Sequence, residues 1–373
     1  MEIRGAVPTA GLTDGVVTVE DGVVASVAAD APGSSGAPGA PGTVILPGLL
    51  DIHCHGGGGH SFATTDPAEA LAAAAYHTAA GDQRRQRAHL PQQVAGGQLL
   101  GIHLEGPFLA PARRGAHAPW LLRDPDPALV ADLLEAAGGA IKIVTVAPER
   151  PGAAPVAAML RAAGVVVAYG HTDAGYDCMA RALADASGDG LVTHLGNAMP
   201  ALHHRAAGPV AAALVAASDD QASVELIADG VHVDAGFTRL VFAAAAPGRV
   251  VLVTDATAAA GMADGDYVLG PLPVTVSGGV ARLTAEGEAA EGEAGGGGVI
   301  AGGTSTLLRV VATARAAGVP LADAARAASA APARVLGLSA SRGALAPGMV
   351  ADLVVTGENL GLRRVMRAGR WLE

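Results

Sequence analysis

Six side chains able to bind a divalent cation or carry a proton stand at or just past the ends of apolar runs: His53, His55, Glu105, His171, His194 and Asp255. The runs are VILPGLLDIHCH, LLGIHLEGP, VVVAYGH, LVTH and RVVLVTD. Side chains alternate along an extended strand, so His53 and His55 share one face while Cys54 takes the other. Two imidazoles on one face at a strand end form a clamp for a metal, although H-x-H pairs also occur as surface or hydrogen-bonded residues. Cys54 reads as a small buried residue rather than a ligand. Glu105, before Gly-Pro, could simply cap a turn. The company of His171 and His194 makes it a ligand candidate, because imidazole and carboxylate donors converging from separate strands suit zinc or a similar ion. A divalent ion lowers the pKa of its water to near ~7, and a carboxylate within reach can take that proton and pass it on. Asp255 is the candidate for that duty. This is the chemistry of a metal-dependent hydrolase.

Reactive residues at the ends of several strands fit a parallel barrel whose site gathers at the C-terminal mouth. The five runs, with AIKIVTVAPE and ASVELIADGVH, make seven strands alternating with Ala-rich helical stretches, the pattern of an α/β fold with a parallel sheet. A closed (β/α)8 barrel of TIM type has eight strands. The vacancy falls between the first run and LLGIHLEGP, where Gly81 to Leu99 has no β-branched residue before Val94. That stretch is also short for a strand–helix unit of about 30 residues. The second unit therefore reads as degenerate or missing, and a frameshift or internal deletion in the gene would account for both features.

Residues 1–46 and 343–373 have a different texture of short strands and turns. Neither end could bury a core alone, so both are expected to combine into one small β-sandwich flanking a hydrolase barrel over 47–342. The acidic, Gly-rich stretch 285–298 reads as a mobile surface loop or hairpin extension.

Half of the 373 residues are hydrophobic and only 3% aromatic, so a globular core built from small aliphatic side chains is expected. The net charge is -11 and Lys142 is the only lysine. Nucleic-acid and anionic-membrane surfaces need clustered cations, so neither partner is expected. No apolar stretch reaches the ~20 residues of a membrane helix. Two cysteines, Cys54 and Cys178, give no disulfide framework. The start MEIRGAVPTA lacks the features of a signal peptide, and a cytoplasmic protein is the default expectation.

With PGLLDIHCHG, GIHLEGPFLAPARRGAH, VTVAPE, YGHTDA, THLGNAM, IADGVHVD, LVTDA, IAGGTSTL, PARVLGL and GALAPGMVADLVV in view, the chain resembles the amidohydrolase superfamily. Within it, the chain is similar to the N-acetylglucosamine-6-phosphate deacetylases. HLEGPF twelve residues before a histidine, THL-x-NAM and IADG-x-HVD carry that narrower likeness. The resemblance implies a (β/α)8 barrel with a β-sandwich from both termini, and hydrolysis of the acetamide of N-acetylglucosamine 6-phosphate to glucosamine 6-phosphate and acetate. It implies that Glu105, His171 and His194 hold the catalytic metal, zinc or iron, and that Asp255 is the general base which later protonates the amine. Members differ at H-x-H; with His53 and His55 present, a second ion bridged by Glu105 becomes an option, giving one or two ions per subunit. His117 would be a substrate or carbonyl contact, and Asn197, Ala198 and Arg205 a phosphate and sugar site. His232 would face the substrate, reaching across to a neighbouring subunit of a homodimer. His203 and His204 read as solvated loop residues.

The chain departs from the family at Gly196, where an aromatic or other large residue is usual, and at the vacant second strand, where relatives have a Val/Ser/Thr-rich strand and a following helix. Two other readings stay open on the residues alone. One is an amidohydrolase acting on cyclic or other N-acyl amides, which would have no use for Arg205, Asn197 and His232. The other is an inactive relative damaged in the second strand.

Overall fold

The computed structural model describes residues 1–30, 40–64, 66–81, 99–188, 190–284 and 298–372. The vacant-strand expectation falls on 82–98 and the acidic-loop expectation on 285–297, both outside the described residues.

Both ends of the chain join in a seven-stranded sheet. Strands β1 (Glu2–Val7), β2 (Leu12–Glu20), β3 (Val23–Ala29) and β4 (Val44–Pro47) come from the start of the chain. The other three strands lie beyond residue 350: Leu353–Thr356, Leu362–Arg367 and Arg370–Trp371. β4 is the hinge of this sheet, pairing parallel with β1 and antiparallel with Leu353–Thr356. Its side chains alternate as strand geometry demands. Ile45 packs with Ile3, Val17, Leu353 and Met366, while Val44 and Leu46 enter the larger core shared with the barrel helices. The run VILPGLLDIHCH is therefore not one strand. It breaks after Pro47, and the chain passes from the terminal sheet into the α/β body.

That body is a curled parallel sheet of six strands in sequential order: β5 (Ile102–Glu105), β6 (Ile141–Val146), β7 (Val166–Tyr169), β8 (Gly190–Val192), β9 (Ala222–Leu226) and β10 (Val250–Leu252). Helices such as Pro127–Ala137, Ala153–Ala162 and Tyr176–Ala184 fall between successive strands. Capping is local, as where the Asp126 side chain accepts from the Ala128 N–H at 2.9 Å. The arrangement is a curled parallel half-barrel with its helices outside.

The stretch after Gly48 runs beside the end of the β10 chain. Asp255 N–H donates to the His53 carbonyl at 2.9 Å and His55 N–H to the Ala256 carbonyl at 2.7 Å. On its other flank, the Ile52 carbonyl lies 3.0 Å from His103 Nδ1. The interior is layered. Ile52, Ile143, Ala168, Leu191 and Val251 form an apolar floor. Above them is a polar row in which His103 Nε2 lies 2.8 Å from Thr145 Oγ1, itself 3.0 Å from Thr193 Oγ1. Lys142 marks the opposite end of β6, exposed beside the floor.

A further three-stranded antiparallel sheet, Gly265–Leu269, Leu272–Ser277 and Val280–Leu283, packs Val274, Val276 and Ala281 on Ala259 and Ala301. It adjoins the segment that follows Asp255. Among the described residues no helix is long and apolar enough to cross a membrane.

Candidate active site

The strand ends bring the six residues together around one carboxylate. Glu105 closes β5 with its side chain 3% exposed. Its Oε1 lies 2.8 Å from His194 Nε2, 3.0 Å from His171 Nε2 and 3.2 Å from His53 Nε2. Its Oε2 lies 3.1 Å from His55 Nε2 and 3.3 Å from His117 Nε2. Asp255 Oδ1 completes the group, 2.8 Å from His55 Nε2 and 3.5 Å from His53 Nε2.

Strand alternation alone would not build this cluster. In β7, Val167 and Tyr169 face the outer helices and Ala168 the floor, so His171 has outward parity. In β8, Val192 is outward and Leu191 inward, which gives His194 outward parity too. Both histidines are rotated inward by left-handed backbone, with φ of 47° at His171 and 26° at His194. Asp255 shares the feature with φ of 50°. Non-glycine residues in this region cost on the order of 1–3 kcal/mol each, and such costs concentrate at functional sites.

The donor set fits a divalent cation. His171 Nδ1 donates to the Arg113 carbonyl at 2.7 Å, and His53 Nδ1 faces Glu225 Oε2 at 2.8 Å. In the neutral rings, those contacts leave the Nε2 lone pairs directed at Glu105. His53 Nε2 and Asp255 Oδ1 are buried, close to several groups by distance, yet in hydrogen-bonding geometry with none of them. His171 Nε2 and His194 Nε2 stand 3.1 Å apart, a separation that two lone pairs tolerate only with a cation or proton between them. Three overlapping sets of candidate ligands result among the described residues: His53 with His55, Glu105 and Asp255; Glu105 with His117 and His171; and His53 with His103 and Glu225.

Electrostatics agree. Burial opposes charge on His53, but Glu105 and Glu225 outweigh it and hold the imidazole well above the usual histidine range. Burial would likewise raise Glu105, but His53, His171 and His117 keep it well below the usual carboxylate range. Asp255 is lowered against its own burial, chiefly by His55. His117 is the exception, pushed down by burial more than Glu105 restores. Carboxylates and imidazoles in the centre thus stabilise one another's charged forms. At 26% side-chain exposure, His117 is the member of the cluster that opens to the mouth.

The remaining expected site residues lie on the loops around that mouth. Asn197 Nδ2 donates to the His194 carbonyl at 3.3 Å, and the Ala198 carbonyl accepts from Thr172 N–H at 3.2 Å. His232 Nδ1 lies 2.9 Å from Asp229 Oδ2. Arg205 is exposed; its backbone N–H donates to His203 Nδ1 at 3.2 Å. At Gly196 a Cβ would come 3.3 Å from the Phe237 ring, so Phe237 crowds the space above this glycine.

Three buried residues escaped the sequence reading. Asp51 accepts from the His53 and Thr254 N–H groups, His103 joins Ile52 to Thr145, and Glu225 backs His53. Each is a polar residue inside an otherwise apolar run, which was the available signal.

A family model, the amidohydrolase family, matches residues 44–372. The chain belongs to the amidohydrolase family. It is similar in sequence to amino-sugar-phosphate deacetylases. It is 35% identical over 297 residues to N-acetylglucosamine-6-phosphate deacetylase of Bacillus subtilis, covering 73% of this chain and 74% of the relative. It is 33% identical to N-acetylgalactosamine-6-phosphate deacetylase of Escherichia coli O157:H7, covering 96% and 95%. Among solved structures, a variant of the Mycobacterium smegmatis N-acetyl-D-glucosamine-6-phosphate deacetylase in complex with N-acetyl-D-glucosamine-6-phosphate is 39% identical, with a TM-score of 0.89 over 100% of this chain and 98% of that one. The Thermotoga maritima N-acetylglucosamine-6-phosphate deacetylase is 26% identical with a TM-score of 0.84, covering 100% and 99%.

Proposed function

We propose that this chain hydrolyses the acetamide of N-acetylglucosamine 6-phosphate, releasing acetate and glucosamine 6-phosphate. The observation that carries the reading is the convergence of five imidazoles and Asp255 about the Glu105 carboxylate, in a chain similar over most of its length to sugar-phosphate deacetylases. The half-barrel and the chain around His53 then make up most of a (β/α)8 barrel.

Glu105, His171 and His194 would hold one ion, zinc or iron, and His53 and His55 a second that shares Glu105. Such an ion supplies a nucleophile from water at neutral pH and polarises the acetamide carbonyl. The protein's residues do the rest. An Asp255 carboxylate oxygen takes the proton of the attacking water as the new C–O bond forms, then delivers it to the nitrogen as the C–N bond breaks. His117, whose Nδ1 is held by the Arg114 carbonyl at 3.0 Å, contacts the substrate from the mouth side. Asn197, Ala198 and Arg205 orient the sugar and phosphate, and His232 approaches the substrate, reaching the neighbouring subunit's site in a homodimer.

Acetate release from the purified protein supplied with zinc or iron tests this, comparing the wild type with Asp255→Asn. The variant is expected to lose about 10²–10⁴-fold in turnover. Unchanged turnover removes Asp255 from the role of base. The galactosamine epimer belongs in the same assay, because the Escherichia coli relative is an N-acetylgalactosamine-6-phosphate deacetylase.

A further inference from the structure

Glu225 takes no part in the chemistry above, yet it is fully buried inside the barrel directly behind the metal ligands. It has inward parity in β9, whose Val224 and Leu226 face the helices. Its Oε2 lies 2.8 Å from His53 Nδ1 and accepts from the His194 N–H at 3.2 Å. Its own carbonyl accepts from Leu195 N–H at 2.8 Å. One side chain thus ties the first histidine of the H-x-H pair to the strand end that carries His194.

We propose that Glu225 is a positioning residue that fixes His53 as the Nδ1–H tautomer, with its Nε2 lone pair facing Glu105 and Asp255, and so decides whether the first-strand histidine pair holds an ion. The inference rests on the metal reading given under Proposed function. A carboxylate accepts hydrogen bonds and donates none when ionised, so the ring nitrogen against it must carry the proton. The other nitrogen is then a free donor to a metal, and the ring cannot rotate without stranding the carboxylate in the interior. A ligand role for Glu225 itself is disfavoured. The group it could form with His53 and His103 has no spare imidazole nitrogen on His103, whose Nδ1 faces the Ile52 carbonyl at 3.0 Å and whose Nε2 faces Thr145 Oγ1 at 2.8 Å. His55 has no such backing among the described contacts; its Nε2 meets Glu105 and Asp255 directly. Control of the pair therefore falls on His53.

The test is a zinc titration of the metal-stripped full chain against a chromophoric chelator, with metal content counted per subunit and the cobalt-substituted absorption spectrum recorded. Wild type, Glu225→Gln, Glu225→Leu, His53→Asn and the double variant His53→Asn/Glu225→Leu are compared; Glu225→Met replaces the leucine variant if that one does not fold. Wild type is expected to take up two ions. Glu225→Leu should weaken the second ion by about 10–100-fold, the range found for lost outer partners of a ligand histidine, and leave the first unchanged. Glu225→Gln still accepts from His53 Nδ1 and should stay within a few-fold of wild type. The double variant should be no worse than His53→Asn alone. Two tight ions in Glu225→Leu, full additivity in the double variant, or a wild type that binds a single ion overturns the proposal while leaving the deacetylase reading intact. A wild type that binds no ion, with no acetate released, defeats both.

Discussion

Asp51 and Thr254 are clasped across the interior: one Asp51 oxygen accepts from the Thr254 N–H at 3.3 Å and the other from the Thr254 hydroxyl. The first of those oxygens also accepts from His53 N–H at 3.0 Å. Asp51 therefore sets the spacing between the H-x-H segment and the residue before Asp255. Asp51→Ala leaves up to three buried donors unsatisfied and should cost on the order of 2–4 kcal/mol of stability. Denaturant unfolding measures this. A variant as stable as wild type would mean the clasp is replaceable.

Gly303 guards the same segment from the other side. Its N–H donates to the Asp255 carbonyl at 2.8 Å, and a Cβ on it would stand 2.2 Å from the Thr254 carbonyl oxygen. Backbone cannot swing aside as a side chain can, so Gly303→Ala must displace Thr254 and Asp255. We expect turnover to fall at least tenfold, since ångström-scale misplacement costs about 10²-fold. Turnover and KM both at wild-type values would rule out this constraint.

Asp229 carries a pH signature of its own. Burial would raise its pKa, but the His232 ring and the N–H groups of His232 and Val231 outweigh burial and hold it low. A carboxylate depressed in the folded state adds stability that is complete above its unfolded pKa of ~3.9 and disappears as pH falls through the folded value. Asp229→Asn should thus melt below wild type at pH 7, with the gap narrowing as the pH drops below about 4. Melting curves across that range decide it, and a constant gap would exclude the charge as its source.

Arg205 as a phosphate contact makes a prediction about substrates. Arg205→Ala should raise KM for N-acetylglucosamine 6-phosphate by about tenfold or more, the loss of one hydrogen bond to a charged group. Turnover of the unphosphorylated sugar should hardly change. Equal effects on both substrates would place the arginine elsewhere in the function.

The six residues that meet at Glu105 were legible as candidates because each ended an apolar run. Why His171 and His194 point inward was not, since strict alternation sends both outward and only left-handed backbone at their own positions reverses it. Position along the chain was readable, and facing was not. Glu225 and Asp51 were visible as charges in apolar surroundings, but their partners, His53 and Thr254, lie 172 and 203 residues away. Spacing carries no information on contacts of that range. The Pro47–Gly48 break and the small sheet over 265–283 were marked by turn residues that the longer apolar pattern around them overshadowed.

Lys142 has a practical consequence. It is the only lysine, exposed at the end of β6 remote from Glu105, with its ammonium donating to the Gly139 carbonyl at 3.0 Å. Amine-reactive reagents therefore meet a single side-chain amine, on the underside of the sheet, besides the α-amine of Met1. With the α-amine blocked, attachment through that one side chain would present every molecule to a surface in the same orientation, with the mouth of the site facing solution.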